Sequence, residues 1–235
     1  MHTVYYTHSH TQVNAVDGYE RAPIHYAAER DVTCIELLVS YHADVNRRDG
    51  NDDTALHWAV FKNKPDCVRA LLQNGADVDA RDYNADTPLS WAAQRGSLEP
   101  MRLLLEYNAS VDTVNLSGHS PIYRAARLLA SGLLDGGDDD DDGGDSDDTC
   151  LQLLISASGQ FDLRQADGLL PRVLQDDNRM RELLLPLSCN ARKLQELCRH
   201  ALRRQLKRQY VPNAVLALPL PRKLQQYLLM TTASS

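Results

Sequence analysis

The sequence predicts an all-α fold in which a stack of helical repeats is followed by a small helical C-terminal module. Two short motifs recur along most of the chain with a common period of about 33 residues. A period of roughly 20 to 50 residues is typical of stacked repeat architectures. The period ends near Leu183, where two unrelated motifs follow.

Composition and charge exclude several classes of protein. The 235 residues are 43% hydrophobic, enough for a buried core, and no segment has the roughly 20 apolar residues of a membrane helix. The five cysteines form no CxxC pair and no zinc-ligand cluster, which disfavours a disulfide framework or a structural metal. We therefore expect a protein without metal or cofactor in a reducing compartment, the cytoplasm or also the nucleus.

Neither a membrane nor nucleic acid is predicted as a partner. The residues after Met1 lack the basic and apolar regions of a signal peptide. The net charge of -7 disfavours nucleic acid in general. A basic run between Arg192 and Arg208 has no interleaved aromatic residues, so a solvated helix face is the favoured interpretation of that run.

The first repeated motif suits the start of a helix. Its second copy is Thr54-Ala55-Leu56-His57, and its third copy has Pro at the second position. Thr is a good N-cap, and Pro is favoured at the first helical position. The four copies begin at Ala22, Thr54, Thr87 and Ser120, in steps of 32, 33 and 33 residues.

The second repeated motif keeps the same phase, and its copies begin at His42, Gly75 and Asn108. Together the motifs resemble the ankyrin repeat. The resemblance implies that Thr and His side chains brace the first turn of an inner helix, that an outer helix follows, and that a β-hairpin links successive repeats. We place a partial repeat or cap at residues 1–18 and about four repeats at residues 19–165.

The outer helices are expected to present leucines to the core. In the first repeat one residue fewer separates Ala28 from Cys34 than in later repeats, which predicts a tighter turn between its helices. The expected core leucines are Leu37, Leu38, Leu71, Leu72, Leu103, Leu104 and Leu105.

The fourth repeat is interrupted by a run of glycine and aspartate, and the outer-helix pattern resumes at Cys150. Dense like charges repel each other and bring no apolar anchor, so we predict a disordered loop over residues 135–148. An acidic docking strip and a calcium site are the less favoured alternatives, and the run lacks the spaced ligands of an EF-hand.

Beyond a linker at residues 166–187, the C-terminal module contains an apolar helix stripe and then a Leu-Pro-Leu-Pro turn. Apolar residues four positions apart lie on one face of a helix. The stripe consists of Leu194, Leu197, Cys198, Ala201 and Leu202. The turn consists of Leu218, Pro219, Leu220 and Pro221.

This module resembles the SOCS box over residues 188–230, and the chain is identified as a member of the ankyrin repeat and SOCS box family. The resemblance implies that Leu194 inserts into a pocket of Elongin C beside Cys198, and that the Leu-Pro-Leu-Pro turn binds cullin-5. It further implies a non-catalytic substrate receptor of an Elongin B/C, cullin-5 and RING-box ubiquitin ligase, which directs an unidentified target protein to ubiquitination and proteasomal degradation. The alternative is an ankyrin scaffold that sequesters a partner and has a degenerate SOCS box.

Candidate target contacts lie at equivalent positions of successive repeats. Tyr26, Trp58 and Trp91 follow the first motif directly, and either pack between repeats or contribute a binding hot spot. Acidic residues at the expected hairpin tips either steer a basic partner or, in the favoured interpretation, are solvated turn residues. The acidic tips comprise Asp49, Asp52, Asp53, Asp82 and Asp86.

No catalytic site is predicted. His25 and His57 are explained by the repeat, which uses the ring to brace a helix. Cys198 has neither the helix N-terminus nor the positioned base of a reactive thiol. The sequence also lacks a phosphate-binding loop and a triad-like motif.

Overall fold

The computed structural model describes residues 13–130, 149–158, 211–217 and 225. These ranges comprise the repeats and one short helix of the C-terminal module. The acidic loop predicted at residues 135–148 lies outside the described residues. So do the predicted Elongin C stripe and the Leu-Pro-Leu-Pro turn.

The described part of the repeats consists of four helix pairs. The inner helices α1, α3, α5 and α7 span Pro23–Ala28, Ala55–Phe61, Pro88–Arg95 and Pro121–Ala130. The outer helices α2, α4, α6 and α8 span Val32–Ser40, Pro65–Gln73, Leu98–Glu106 and Thr149–Ala157. A further helix, α9, spans Val211–Leu216 in the C-terminal module.

The helices form two layers, because each inner helix packs on its own outer helix and on the inner helices of adjacent repeats. The outer helices contact each other in the same order. One apolar residue per repeat is buried at the same inner position. These residues are Ile24, Leu56, Leu89 and Ile122. The predicted all-α repeat stack is therefore confirmed.

The links between repeats differ from the predicted β-hairpins. Within the described residues they are turns, with a single isolated antiparallel bridge between Arg48 and Thr54 and no strand. A side chain supplies acceptors that a second strand would otherwise provide, since the carboxylate of Asp49 accepts hydrogen bonds from the backbone N–H groups of Asn51 and Asp53.

The turn within the first repeat is not shortened. Residues 29–31 join α1 to α2, and the equivalent connection at residues 62–64 is equally long. The missing residue instead shortens α1, which has six residues against seven in α3. Asp31 caps α2 by accepting a hydrogen bond from the backbone N–H of Thr33 at 3.0 Å.

Most of the predicted core leucines are buried, but the prediction is wrong for Leu37. Its side chain is 59% exposed, whereas Leu103 at the equivalent position of the third repeat is buried. Helix α6 has an outer helix on both sides, while α2 has one on a single side within the described part of the chain. A leucine at this position is therefore covered only where a preceding outer helix packs on it.

Besides the left-handed residues His42, Gly75 and Asn108 that follow the outer helices, each turn before an inner helix contains one residue with a left-handed backbone. In three repeats this residue is not glycine, and its φ is 60° or 61°. In the fourth repeat it is Gly118, with φ of 76°. The three non-glycine residues are Glu20, Asp52 and Ala85.

Candidate functional site

One aspartate in each of the first three links organises the turn and the following inner helix. The Oδ1 atom of Asp49 accepts hydrogen bonds from the backbone N–H groups of Asn51 and Asp53, at 2.9 and 3.0 Å. Its Oδ2 atom accepts the indole N–H of Trp58 at 3.1 Å. We call this arrangement the Asp bracket, and it joins the turn to the helix nine residues later.

The Asp bracket recurs with one substitution. Asp82 Oδ1 accepts from the backbone N–H groups at positions 84 and 86, and its Oδ2 accepts the indole N–H of Trp91 at 3.0 Å. Asp17 has the same backbone partners and accepts the hydroxyl of Tyr26 at 2.5 Å. In the fourth repeat Asn115 takes the place of the aspartate and keeps the two backbone bonds, while its Nδ2–H donates to Oδ2 of Asp86 at 3.3 Å.

The predicted interpretation of the acidic tips as solvated residues is wrong for four of the five. Asp49 and Asp82 are 4% and 8% exposed, and both oxygens of each accept hydrogen bonds from donors inside the repeat. Asp53 and Asp86 are buried as well, and only Asp52 is exposed. The sequence shows a cluster of charge but not which oxygens accept backbone N–H groups.

Burial has electrostatic consequences at two of these carboxyls. Burial, reinforced by the charges of Asp49 and Asp82, raises the pKa of Asp53 to about 7. Burial also raises the pKa of Asp86, and the guanidinium of Arg124, 2.5 Å away, opposes that shift. The interior of the links thus contains carboxyls that ionise less readily than those in water.

The two repeat histidines have structural roles. His57 Nδ1 accepts from the backbone N–H and the hydroxyl of Thr54, so its Nε2–H donates to the carbonyl of Asp86 in the next link at 3.3 Å. His25 Nε2 likewise lies 3.0 Å from the carbonyl oxygen of Arg47. Burial lowers the pKa of His57 to about 4. The neutral ring braces the first turn through Thr54, as predicted for the motif, and its bond to Asp86 additionally joins the repeat to the next one.

The predicted aromatic residues line up along the inner helices, together with one that was not predicted. The ring centroids of Trp58 and Trp91 are 6.3 Å apart, and Phe61 lies 5.9 and 5.7 Å from them in edge-on geometry. Such pairs contribute about 0.5 to 1.5 kcal/mol beyond their buried area. We call Tyr26, Trp58, Phe61 and Trp91 the aromatic ladder.

Cations cover two parts of the aromatic ladder. The guanidinium of Arg21 lies 3.9 Å from the ring centroid of Trp58 and 5.9 Å from that of Tyr26. It also pairs with Asp49, with 3.4 Å between Nε and Oδ2. The guanidinium of Arg95 lies 4.4 Å from the centroid of Phe61. Both contacts are within cation–π range.

The ladder remains accessible. Tyr26 is 44% exposed, and the other three rings are half-buried. Trp58 and Trp91 therefore pack between repeats, as one interpretation predicts, whereas the hot-spot interpretation stays a prediction for which these rings still present surface. Arg21, Phe61 and Arg95 were not predicted. The i, i+3 spacing from Trp58 could have identified Phe61, whereas no periodic signal marks Arg21, since Asp53 and Asp86 stand at its equivalent positions.

The predicted Elongin C stripe and cullin-5 turn both lie outside the described residues. Helix α9 lies between them in sequence, and its Val215 is buried. The described ranges contain no group of His, Cys, Asp or Glu that could hold a metal ion. Nor does the described part of the chain include a helix long and apolar enough to cross a membrane.

Comparison with known proteins identifies both parts of the chain. A family model for ankyrin repeats, in three copies, matches residues 2–82, and one for a single ankyrin repeat matches residues 84–116. The SOCS box model matches residues 190–229. The single-repeat match begins directly after the three-repeat match ends, in keeping with the period seen in the sequence and the helix pairs.

Individual relatives carry both names. Proteins called Ankyrin repeat and SOCS box protein 8 from Mus musculus and Homo sapiens are 50% and 49% identical to this chain over 84 residues. The matched segment is 36% of this chain and 29% of each relative, so it spans less than a third of their length. With ankyrin repeats followed by a SOCS box, the chain belongs to the ankyrin repeat and SOCS box family.

Proposed function

We propose that this chain is a substrate receptor of a cullin-RING ubiquitin ligase. Its ankyrin repeats bind the target, and its SOCS box recruits Elongin B/C and, through them, cullin-5 and a RING-box protein. The observation that carries this proposal is the SOCS box match at residues 190–229, behind ankyrin repeats. The names of the relatives, which combine the same two modules, support it.

The proposed mechanism is proximity. The receptor holds an acceptor lysine of the target near ubiquitin that is activated on a separate conjugating enzyme, and the target is then degraded by the proteasome. A short flexible tether raises the effective concentration to about the millimolar range. The chain itself contributes binding and no catalytic group. The cytoplasm or the nucleus is the proposed location, where the free thiols of Cys34, Cys67 and Cys150 would persist.

The target surface is proposed to include Tyr26, Trp58 and Trp91. Large aromatic residues that are already held in place lose little conformational freedom on binding, and they dominate hot spots. Asp49 and Asp82 contribute indirectly. Each is buried and accepts an indole N–H, so it orients a tryptophan and does not itself touch the target.

The ligase surface is proposed to consist of two separate segments. The helix stripe contacts Elongin C, with Leu194 and Cys198 at its centre, and the Leu-Pro-Leu-Pro turn contacts cullin-5. Two prolines limit the backbone of that turn and favour an exposed, preformed shape. The remaining stripe residues are Leu197, Ala201 and Leu202.

The stripe is tested with Leu194→Ala and Cys198→Ala combined. Removal of a buried leucine side chain costs on the order of 2 to 5 kcal/mol, so co-purification of Elongin B/C should be lost. The matched control is Leu37→Ala, which removes an exposed leucine from the repeats and should leave Elongin binding unchanged. Undiminished Elongin binding by the double variant would show that the stripe is misplaced. Absence of Elongin from the unaltered protein would favour the sequestering scaffold.

The turn is tested by replacing residues 218–221 with alanine. Cullin-5 should then be lost from a complex that retains Elongin B/C and the target, because the two contacts use different segments. Ubiquitination of the target in a reconstituted reaction should stop. Loss of Elongin together with cullin-5 would contradict the separation of the two segments.

A further inference from the structure

The carboxylates beside the aromatic ladder are already used inside the protein. Asp49 and Asp82 each accept an indole N–H from the ladder, and Asp86 pairs with Arg124. All three aspartates are buried. A basic partner would therefore find no free carboxylate at these three positions, although the sequence alone suggests an acidic edge.

One cation on the same surface is in the opposite situation. Arg95 ends α5, is exposed, and stacks on Phe61. None of the carboxylates in the described residues forms an ion pair with it. Lys62, one repeat earlier, differs because Glu29 neutralises it at 3.3 Å. A guanidinium whose carbon lies over a ring, and which has no ion-pair partner, still has five N–H donors with which to bind a carboxylate.

The positive charge continues into the fourth repeat. Arg127 is exposed, lies 33 residues after Gln94, and likewise pairs with no carboxylate in the described part of the chain. Arg124 stands where the earlier repeats have Tyr26 and Trp58. The inner helices α5 and α7 therefore carry two exposed guanidinium groups, Arg95 and Arg127, that pair with no carboxylate of the described residues, and Arg95 lies over the half-buried ring of Phe61.

We propose that this surface recognises an acidic segment of the target protein. A carboxylate of that segment pairs with Arg95, and an adjacent apolar side chain packs on Phe61 and Trp91. Like charges face each other when a basic segment approaches, so the surface also selects against it. This inference rests on the proposed function only for the identity of its partner as a ligase target, since the recognition itself needs the repeats alone.

The test is a selection of displayed random 12-residue peptides on the purified full-length chain. Recovered peptides should be enriched in Asp and Glu next to an apolar residue. A synthetic peptide with the recovered sequence should bind at least ten-fold more weakly to Arg95→Glu and to Arg95→Gln. Replacement of its Asp and Glu by Asn and Gln should have a similar effect, and added salt should weaken binding.

The matched control is Arg69→Glu, an exposed arginine on the outer helix α4. It changes the net charge by the same amount as Arg95→Glu but should alter peptide binding less than two-fold. Thermal unfolding of each variant verifies that the repeats remain folded, and the milder Arg95→Gln serves if the charge reversal unfolds them.

Recovery of no peptide, of peptides without acidic bias, or of peptides that Arg69→Glu weakens equally would overturn the inference. None of these results depends on Elongin B/C. If the chain binds acidic peptides but fails to co-purify with Elongin, the proposed ligase role is refuted and the recognition of acidic segments stands. If it binds Elongin but no acidic peptides, the recognition is refuted and the ligase role stands.

Discussion

The first and third repeats place equivalent residues in different surroundings. Asp17 with Tyr26 and Asp82 with Trp91 form the same bracket, yet Asp17 is exposed and Asp82 is buried. The outer helices differ in the same direction, as the contrast between the exposed Leu37 and its buried counterpart shows. The hydrogen-bond pattern is thus set within each repeat, whereas the burial of its side chains depends on the neighbouring repeats.

This difference is expected of a one-dimensional stack. Each repeat contacts only adjacent repeats, so its stability combines an intrinsic contribution with one from each interface. A repeat with neighbours on both sides should therefore respond more strongly to a substitution than an equivalent one near the end. Matched substitutions in different repeats can test that expectation.

The largest difference is expected between two outer-helix leucines. Leu103→Ala removes a buried side chain at the position equivalent to Leu37 and should lower the free energy of unfolding by about 2 to 5 kcal/mol. Leu37→Ala removes an exposed side chain and should change it by less than about 0.5 kcal/mol. Urea denaturation of both variants measures the difference. Equal losses would show that α2 is covered as completely as α6.

A pH dependence should distinguish the second repeat from the third, because His57 is equivalent to Ser90, which carries no titrating group in this range. The folded-state pKa of His57, about 4, is below the roughly 6.5 of an unfolded histidine, so the unfolded chain binds the proton more tightly. Its contribution is therefore fully present above about pH 6.5 and is lost as the pH falls toward 4.

The comparison with His57→Gln isolates this contribution. The difference in unfolding free energy between the unaltered chain and the variant should shrink by about 2 to 3 kcal/mol between about pH 7 and pH 4. Asp53, whose raised pKa acts in the opposite direction, is present in both proteins and cancels from the difference. A difference that stays constant with pH would mean that His57 is protonated in the fold or accessible to water.

The smallest effect concerns the Asp bracket itself. Asp82→Ala leaves two backbone N–H groups and one indole N–H without their acceptor in a buried site, which should cost about 1 to 3 kcal/mol. Asp17→Ala exposes the equivalent donors to water and should cost less than about 1 kcal/mol. Thermal unfolding of the pair tests whether burial, rather than the bracket, sets the magnitude.

Much of the repeat architecture could be predicted from the sequence, because it depends on local and periodic features. The 33-residue phase, the helix starts at residues such as Thr54 and Thr87, and the role of His57 follow from motifs that recur. The alignment of Trp58 with Trp91 follows from their identical position in successive repeats.

The features that could not be predicted depend on contacts between repeats. The exposure of Leu37 reflects a missing neighbour, and the burial of Asp49 reflects the preceding link, from which Arg21 pairs with it. A pattern of charges cannot show whether a carboxylate faces water or the backbone. The stacking of Arg95 on Phe61 joins different repeats, and no spacing within a single repeat marks it.

The left-handed residue in the turn before each inner helix has an evolutionary consequence. It lies between the two backbone N–H groups that the Asp bracket binds, so the turn keeps its shape whether the residue is Ala85 or Gly118. A residue with a side chain is strained in this conformation, at a cost of about 1 kcal/mol. Glycine avoids the strain but raises the conformational entropy of the unfolded chain, which costs a similar amount of stability. Because the two effects offset each other, this position can drift among glutamate, aspartate, alanine and glycine under weak selection, while the bracketing residue three places earlier stays confined to aspartate and asparagine.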